Sequence, residues 1–87
     1  MSELRLRSAG LTWREVDGEL IVLDLDRSVY LASNGTGTAL WHALSRGATH
    51  QALVDIVVGR FGASPVEAAG DVDEFVGRLS DLGLLEG

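Results

Sequence analysis

The two histidines are the first candidates for chemistry in this 87-residue chain, because an imidazole can ligate a metal or act as a general base. His42 and His50 lie eight residues apart, and no third ligand type stands at a metal-binding spacing from them. We interpret His42 as a helix-surface residue beside Trp41, and His50 as an exposed residue in the first turn of a helix. Neither is predicted to be catalytic or to bind a metal.

The other polar patterns do not assemble an enzyme site either. The serines have no partner base at a recognisable spacing, and Ser64 is explained by helix capping. The segment Asn34-Gly35-Thr36-Gly37 has two glycines before a helix, but it lacks the lysine and the spacing of a P-loop. The chain has no cysteine, which excludes disulfides, thiol nucleophiles and zinc-thiolate sites. We therefore expect no catalytic activity and no cofactor.

Length and charge restrict the remaining classes of function. A chain of this size is predicted to form a single domain over residues 1–87, with residues 1–10 flexible or adding a short strand. The formal charge of −6 and the scattered arginines argue against a nucleic-acid partner, since phosphate binding needs clustered basic side chains. No apolar run is long enough to span a membrane, and the first residues lack a signal peptide. We expect a cytoplasmic protein without a membrane partner.

The first third of the chain predicts a three-stranded antiparallel meander. Alternating and β-favouring residues indicate strands at Leu11–Val16, Glu19–Leu25 and Ser28–Ala32. Asp17-Gly18 is a strong hairpin signal between the first two strands. The second strand is almost continuously apolar, which predicts burial of most of both faces.

Three helices are predicted to follow the strands. The first spans Thr38–Ser45 with Asn34 as a plausible N-cap, and the second runs from its cap at Thr49 to Phe61. The third starts at a Ser64–Glu67 capping box and ends at Gly83. Strands grouped before helices predict an α+β domain. The first two helices look like a helix-turn-helix, so we predict a winged helix-turn-helix fold.

Two surfaces of this predicted fold face one another. With Val72 and Leu79 directed inward, the side chains of Asp71, Phe75 and Arg78 share one shoulder of the last helix. The third strand lies at the edge of the meander and has no proline, lysine or charge run to prevent pairing. This combination favours a peptide that adds as a strand, although the edge could instead be covered by residues 1–10 or by a second copy of the chain.

Three ordered motifs run through the chain, namely Tyr30-Leu31-Ala32-Ser33-Asn34-x-x-Gly37-x-x-Leu40-Trp41, Gly47-x-Thr49 and Asp71-Val72-x-x-Phe75-x-x-x-Leu79-x-x-x-Gly83-Leu84-Leu85. Together they resemble the PqqD-like family of precursor-peptide recognition domains, which act in the biosynthesis of ribosomal peptide natural products. The resemblance covers about residues 11–86, and the sequence has Ser33 where the family usually has leucine.

The resemblance implies a non-catalytic winged-helix protein that binds a leader peptide as an antiparallel strand between strand 3 and helix 3. Carried over by position, Val29, Tyr30, Leu31 and Ala32 would supply backbone pairing and small pockets. The opposing wall would be Asp71, Phe75 and Arg78, with Asp71 pairing with the leader and Phe75 as an apolar anchor.

The resemblance also implies partner enzymes. A freestanding domain is similar to the recognition proteins of lasso-peptide pathways, which hand the leader to a separate protease and a cyclase. The quinone-cofactor branch, in which the partner is a radical-SAM enzyme, is an equal alternative on this sequence. A winged-helix DNA-binding regulator and a dimerisation domain that uses the same strand edge are further alternatives.

Overall fold

The computed structural model describes residues 3–7 and 10–86. Three strands precede three helices, as the sequence predicts. The strands are β1 (Leu11–Val16), β2 (Glu19–Asp24) and β3 (Val29–Ser33), and the helices are α1 (Thr36–Arg46), α2 (His50–Phe61) and α3 (Pro65–Asp81). This order confirms the α+β class, whereas the winged helix-turn-helix label stays a prediction. Among the described residues, no helix is both long and apolar enough to cross a lipid bilayer.

The sheet is an antiparallel meander with the strand order β1-β2-β3. Asp17 and Gly18 both adopt positive φ angles, of 53° and 79°, which is the signature of a type I′ hairpin. The register pairs Val16 with Glu19 across this turn, and Leu20 with Ser33 across the second hairpin. β3 is therefore an edge strand, as predicted.

Only one face of the sheet is covered by helices. Leu20, Val22 and Asp24 are buried along β2, whereas the intervening Ile21 and Leu23 remain partly exposed. The prediction that β2 is buried on most of both faces is therefore wrong, because all three helices lie in a single layer on one side. Leu25, predicted at the end of this strand, lies beyond it and is 76% exposed.

α3 has the predicted start and a well-defined end. The Ser64 hydroxyl accepts a hydrogen bond from the Glu67 amide at 3.2 Å, and the Glu67 carboxylate accepts one from the Ser64 amide at 3.4 Å. After Leu82, Gly83 takes a φ of 73°, and the Leu84 amide donates to the Leu79 carbonyl at 2.9 Å. The Gly83 amide donates to the Ser80 carbonyl at 3.0 Å. The two bonds form a Schellman motif, which satisfies carbonyls at the end of the helix.

The caps of the other two helices differ from each other. Thr49 accepts a hydrogen bond from the Ala52 amide at 3.1 Å, as predicted for the N-cap of α2. The prediction of Asn34 as the N-cap of α1 is wrong. The N-cap is Gly35, which has a φ of 54° and makes no side-chain capping bond. Phe61, the last residue of α2, is 44% exposed.

The N-terminal segment lies along the helical layer and does not join the sheet. The Leu4 amide donates to the Ala48 carbonyl at 2.7 Å, and the Arg7 amide donates to the Leu84 carbonyl at 2.8 Å. Residues 3–7 thus connect the α1–α2 turn to the C-terminal residues, away from the edge of β3. Residues 1–2 and 8–9 of the region predicted to be flexible or to add a short strand lie outside the described residues.

A buried ion pair fixes this segment to the sheet. The Asp24 carboxylate is 1% exposed and pairs with the Arg7 guanidinium, whose Nε also donates to the Gly83 carbonyl at 2.9 Å. Burial by itself raises the pKa of Asp24. The hydrogen bonds from Arg7 and from the Arg27 and Asp26 amides, together with the positive charge of Arg7, outweigh burial and lower this pKa below its ordinary value.

We expect the Asp24 ion pair to make stability depend on pH in the acid range. The unfolded chain takes up the Asp24 proton near pH ~4, whereas the folded chain does so only at lower pH, so stability falls as the pH drops through this window. Thermal unfolding of the native chain and of Asp24→Asn between about pH 3 and pH 7 tests this expectation. The asparagine variant should show a flatter acid limb, and an unchanged limb would contradict the assignment.

Candidate functional site

A groove separates the end of β3 and the start of α1 from one side of α3. It has a volume of about 280 Å³, slightly below the range of about 300–1,000 Å³ of small-molecule pockets. Its lining residues are Ser33, Thr36, Gly37, Leu40, Asp71, Glu74, Phe75 and Arg78. We call this cavity, together with the neighbouring outer edge of β3, the β3–α3 groove.

The three residues predicted on α3 lie together in this groove. Asp71 and Arg78 are exposed at its rim, and Phe75 is partly buried with its ring packed against the hydrophobic core. The helical spacing places all three on one shoulder, while Val72 and Leu79 on the inner face are completely buried. Their role in binding a guest stays a prediction, but the predicted common surface exists.

The four residues predicted on β3 contribute a strand edge and no cavity wall. Leu31 is completely buried, so its side chain is not available for contact with a guest, and Val29 is partly buried against the core. Tyr30 and Ala32 alternate with them, and the Tyr30 side chain is 61% exposed. This strand therefore offers its backbone and the exposed side chain of Tyr30.

The outward-facing backbone groups of β3 follow from the register. In the two-residue hairpin, Val16 and Glu19 form a hydrogen-bonded pair, and such pairs alternate with non-bonded pairs along the strands. The backbone N–H and C=O groups of Glu19 therefore point towards β1. Those of Leu20 point towards β3 and bond to its partner Ser33. By the same alternation, the N–H and C=O groups of Tyr30 and Ala32 point away from the sheet. Within the described residues, no backbone segment pairs with this edge.

Gly37 shapes the floor of the groove. A methyl group added there would overlap the Ser33 hydroxyl and would lie 3.2 Å from Cε1 of Phe75. The glycine thus lets the first turn of α1, the end of β3 and the Phe75 ring approach one another closely. The sequence motif includes Gly37, but its close contacts with Ser33 and Phe75 are visible only in the structure.

Glu74 is a groove residue that the sequence reasoning missed. It follows Asp71 by three positions and precedes Arg78 by four, so helical spacing already placed it on the same shoulder. In the described part of the chain, Asp71, Glu74 and Arg78 have no ion-pair partner within 4.0 Å. The rim of the groove therefore carries charges that the fold leaves unpaired.

The histidines lie away from the groove. His42 pairs with Glu15 and its ring centroid lies 5.5 Å from that of Trp13, while His50 hydrogen-bonds Asp73 at 2.6 Å. His50 is exposed at the start of α2, as predicted. Across the described ranges, no group of three or more His, Cys, Asp or Glu side chains is arranged to hold a metal ion.

Comparison with known proteins finds one matching sequence family and two solved structures with a similar fold. Residues 19–85 match the family described as Coenzyme PQQ synthesis protein D (PqqD). The chain is also similar to a solved structure described as TbiB1 in complex with the TbiA(beta) leader peptide, with a TM-score of 0.85, 23% identity and 95% of each chain covered. A second structure, described as lasso peptide synthetase B1 complexed with the leader peptide, has a TM-score of 0.84 at 20% identity and covers 99% of this chain and 100% of the other. No curated protein sequence matches this chain.

The packing at Gly37 predicts that Gly37→Ala changes the shape of the groove. The Ser33 hydroxyl can rotate away, but Cβ of Ser33 at 3.1 Å and the Phe75 ring at 3.2 Å from the new methyl group must both shift. Aromatic NMR resonances of Phe75 should therefore shift. Gly77→Ala on the outer face of α3 is the matched control, because no atom lies within 4 Å of its added methyl group. It should leave Phe75 unchanged and stabilise the fold by up to ~1 kcal/mol. Unchanged Phe75 resonances in Gly37→Ala would contradict this packing.

Proposed function

The chain belongs to the PqqD family, and on that premise we propose that it binds the leader segment of a ribosomally made precursor peptide. The leader adds to β3 as an antiparallel strand and occupies the β3–α3 groove. The observation that carries this proposal is the unpaired β3 edge beside a groove with a partly apolar wall. The domain presents the bound leader to maturation enzymes and performs no chemistry itself.

Strand addition accounts for the exposed backbone of β3. The outward N–H and C=O groups of Tyr30 and Ala32 offer two donors and two acceptors to an extended guest. β3 itself has no proline, lysine or charge run that would discourage pairing. The N-terminal segment, a possible competitor for this edge, is bonded to Ala48 and Leu84 in its described part.

The α3 wall supplies selectivity for side chains of the guest. Phe75 is partly buried and borders the groove together with Leu40 and Gly37, which makes an apolar contact surface. Asp71 at the rim can pair with a basic group or accept a hydrogen bond from the leader, and Arg78 can bind a carboxylate. Backbone pairing thus gives affinity, and this wall distinguishes one extended peptide from another.

The two similar structures, each described as a complex with a leader peptide, support the choice of guest. They favour the lasso-peptide branch, in which the bound leader is delivered to a leader protease and a cyclase. The family match, described by quinone-cofactor synthesis, supports the alternative of a chaperone that presents its peptide to a radical-SAM enzyme. Titration with leader peptides of both branches separates the two, because the wrong class should bind at least about tenfold more weakly.

Tyr30→Pro should reduce leader affinity by about tenfold or more. Proline has no backbone N–H, so one outward donor of β3 is lost and a carbonyl of the guest stays unpaired. Glu15→Pro is the matched control, since its N–H faces outward from the opposite edge of the sheet. Calorimetric titration of both variants, with circular dichroism to confirm folding, measures the effect. Equal losses in the two variants, or no loss in Tyr30→Pro, would refute strand addition at β3.

Phe75→Ala should weaken leader binding by about 1–3 kcal/mol, the usual range for a truncated aromatic anchor. Phe61→Ala removes a similar ring that is 44% exposed near the end of α2, outside the groove, and should bind normally. Fluorescence anisotropy with a labelled leader peptide compares the two variants. If both bind like the native chain, Phe75 is a structural residue and no anchor.

A further inference from the structure

The charges along the β3–α3 groove change sign from one end to the other. Asp71 and Glu74 line the end where β3 meets α1, and Arg78 lies one to two turns further along α3. Arg27, two residues before β3, lies against Gly83 just beyond the end of α3. The charges of the groove itself therefore run from Asp71 and Glu74 at the Ser33 end to Arg78 towards the Val29 end. Arg27 lies outside this groove, in a neighbouring cavity that Glu86 also lines.

These contacts also fix the direction of α3 relative to β3. Phe75 and Ser33 both lie against Gly37, so the C-terminal end of β3 faces α3 at Phe75, just past the middle of the helix. Arg27 and Gly83 bring the start of β3 to the end of α3. The helix and the strand are thus antiparallel. A guest that is antiparallel to β3 runs parallel to α3, and its N-terminal side lies at Asp71 and Glu74.

The helix ends reduce this charge difference without reversing it. The N-terminus of α1 contributes roughly half a positive charge at the acidic end, against two full carboxylate charges. The C-terminus of α3 contributes roughly half a negative charge near Arg27, and Glu86 lines the same cavity as Arg27, so the basic end of the groove depends on Arg78. The Asp26 carboxylate is turned towards Gly10, away from the groove.

Resting on the proposed function, we infer that the leader carries a basic side chain at its N-terminal side and an acidic one two or four residues later. Asp71 and Arg78 are seven residues apart, or about 10 Å along a helix, which equals about three residues of an extended strand. Side chains on the same face of a strand recur every second residue, so the acidic residue follows by two or four positions. The order of charges then selects both the guest and its direction.

Selection from random peptides tests this inference without knowledge of the natural leader. A displayed library of about twelve-residue peptides, long enough for one strand with flanks, is selected on the immobilised full chain. Enriched peptides should place Lys or Arg before Asp or Glu at the stated spacing. This bias should weaken at about 1 M salt, where charges are screened.

A charge exchange in the protein supplies the second part of the test. In the double variant Asp71→Arg with Arg78→Asp, the preferred order of charges should reverse, and peptides selected on the native chain should bind about five- to thirty-fold more weakly. Asp55→Arg with Arg60→Asp is the matched control, because both residues are exposed on α2 outside the groove and the net charge is again unchanged. This control should keep the native preference.

The outcomes separate the inference from the proposed function. Enriched peptides that lose binding in Tyr30→Pro but show no order of charges, or the opposite order, would overturn the inference and leave strand addition standing. If no peptide is enriched, or if enrichment is unaffected by Tyr30→Pro, the proposed function fails and the inference fails with it.

Discussion

The architecture depends on a sheet that ends at β3 with its outward backbone groups unpaired among the described residues. A strand edge exposes N–H and C=O groups that can bond to water or to another chain, and most proteins protect such edges. Here the neighbouring α3 shields one side of the edge without covering it, because its exposed shoulder stands across a groove from Ser33 and Gly37. The sheet thereby has one open strand position, which is the position that we propose for the leader.

The rest of the fold holds this edge and this helix at a constant distance. Val72 and Leu79 on the inner face of α3 pack in the same core as Leu31 of β3 and Leu40 of α1. The buried Arg7–Asp24 pair and the Arg7–Gly83 hydrogen bond join the end of β2 to the residues after α3. A groove with walls fixed in this way needs little rearrangement to accept a strand, which lowers the entropic cost of binding.

The positions of the charged side chains show more than the net charge of −6 does. A total of −6 argues against a phosphate-binding surface, yet the β3–α3 groove combines two carboxylates with Arg78. Charge of both signs along one extended site suits a peptide better than a nucleic acid, whose phosphates all carry the same sign. The arginines outside the groove include Arg5 and Arg7, which are paired within the fold.

The local elements were predictable because their signals are local. The Asp17-Gly18 hairpin, the Ser64–Glu67 capping box and the apolar stripe of α3 each depend on neighbours within a few residues. The spacing of Asp71, Phe75 and Arg78 places them on one surface of the helix whatever the rest of the fold. Membership of the PqqD family was already visible as a resemblance in ordered motifs.

Tertiary structure alone decided the remaining features. Burial of one face of β2 reflects a single helical layer, which a continuous apolar run in the sequence cannot reveal. Position 37 requires glycine because β3, α1 and α3 meet there, and these contacts cannot be predicted from the sequence. The path of residues 3–7, the unpaired outer edge of β3 and the antiparallel direction of α3 are likewise set by contacts between distant segments. Side-chain spacing determines which residues share a face, but only packing determines what that face meets.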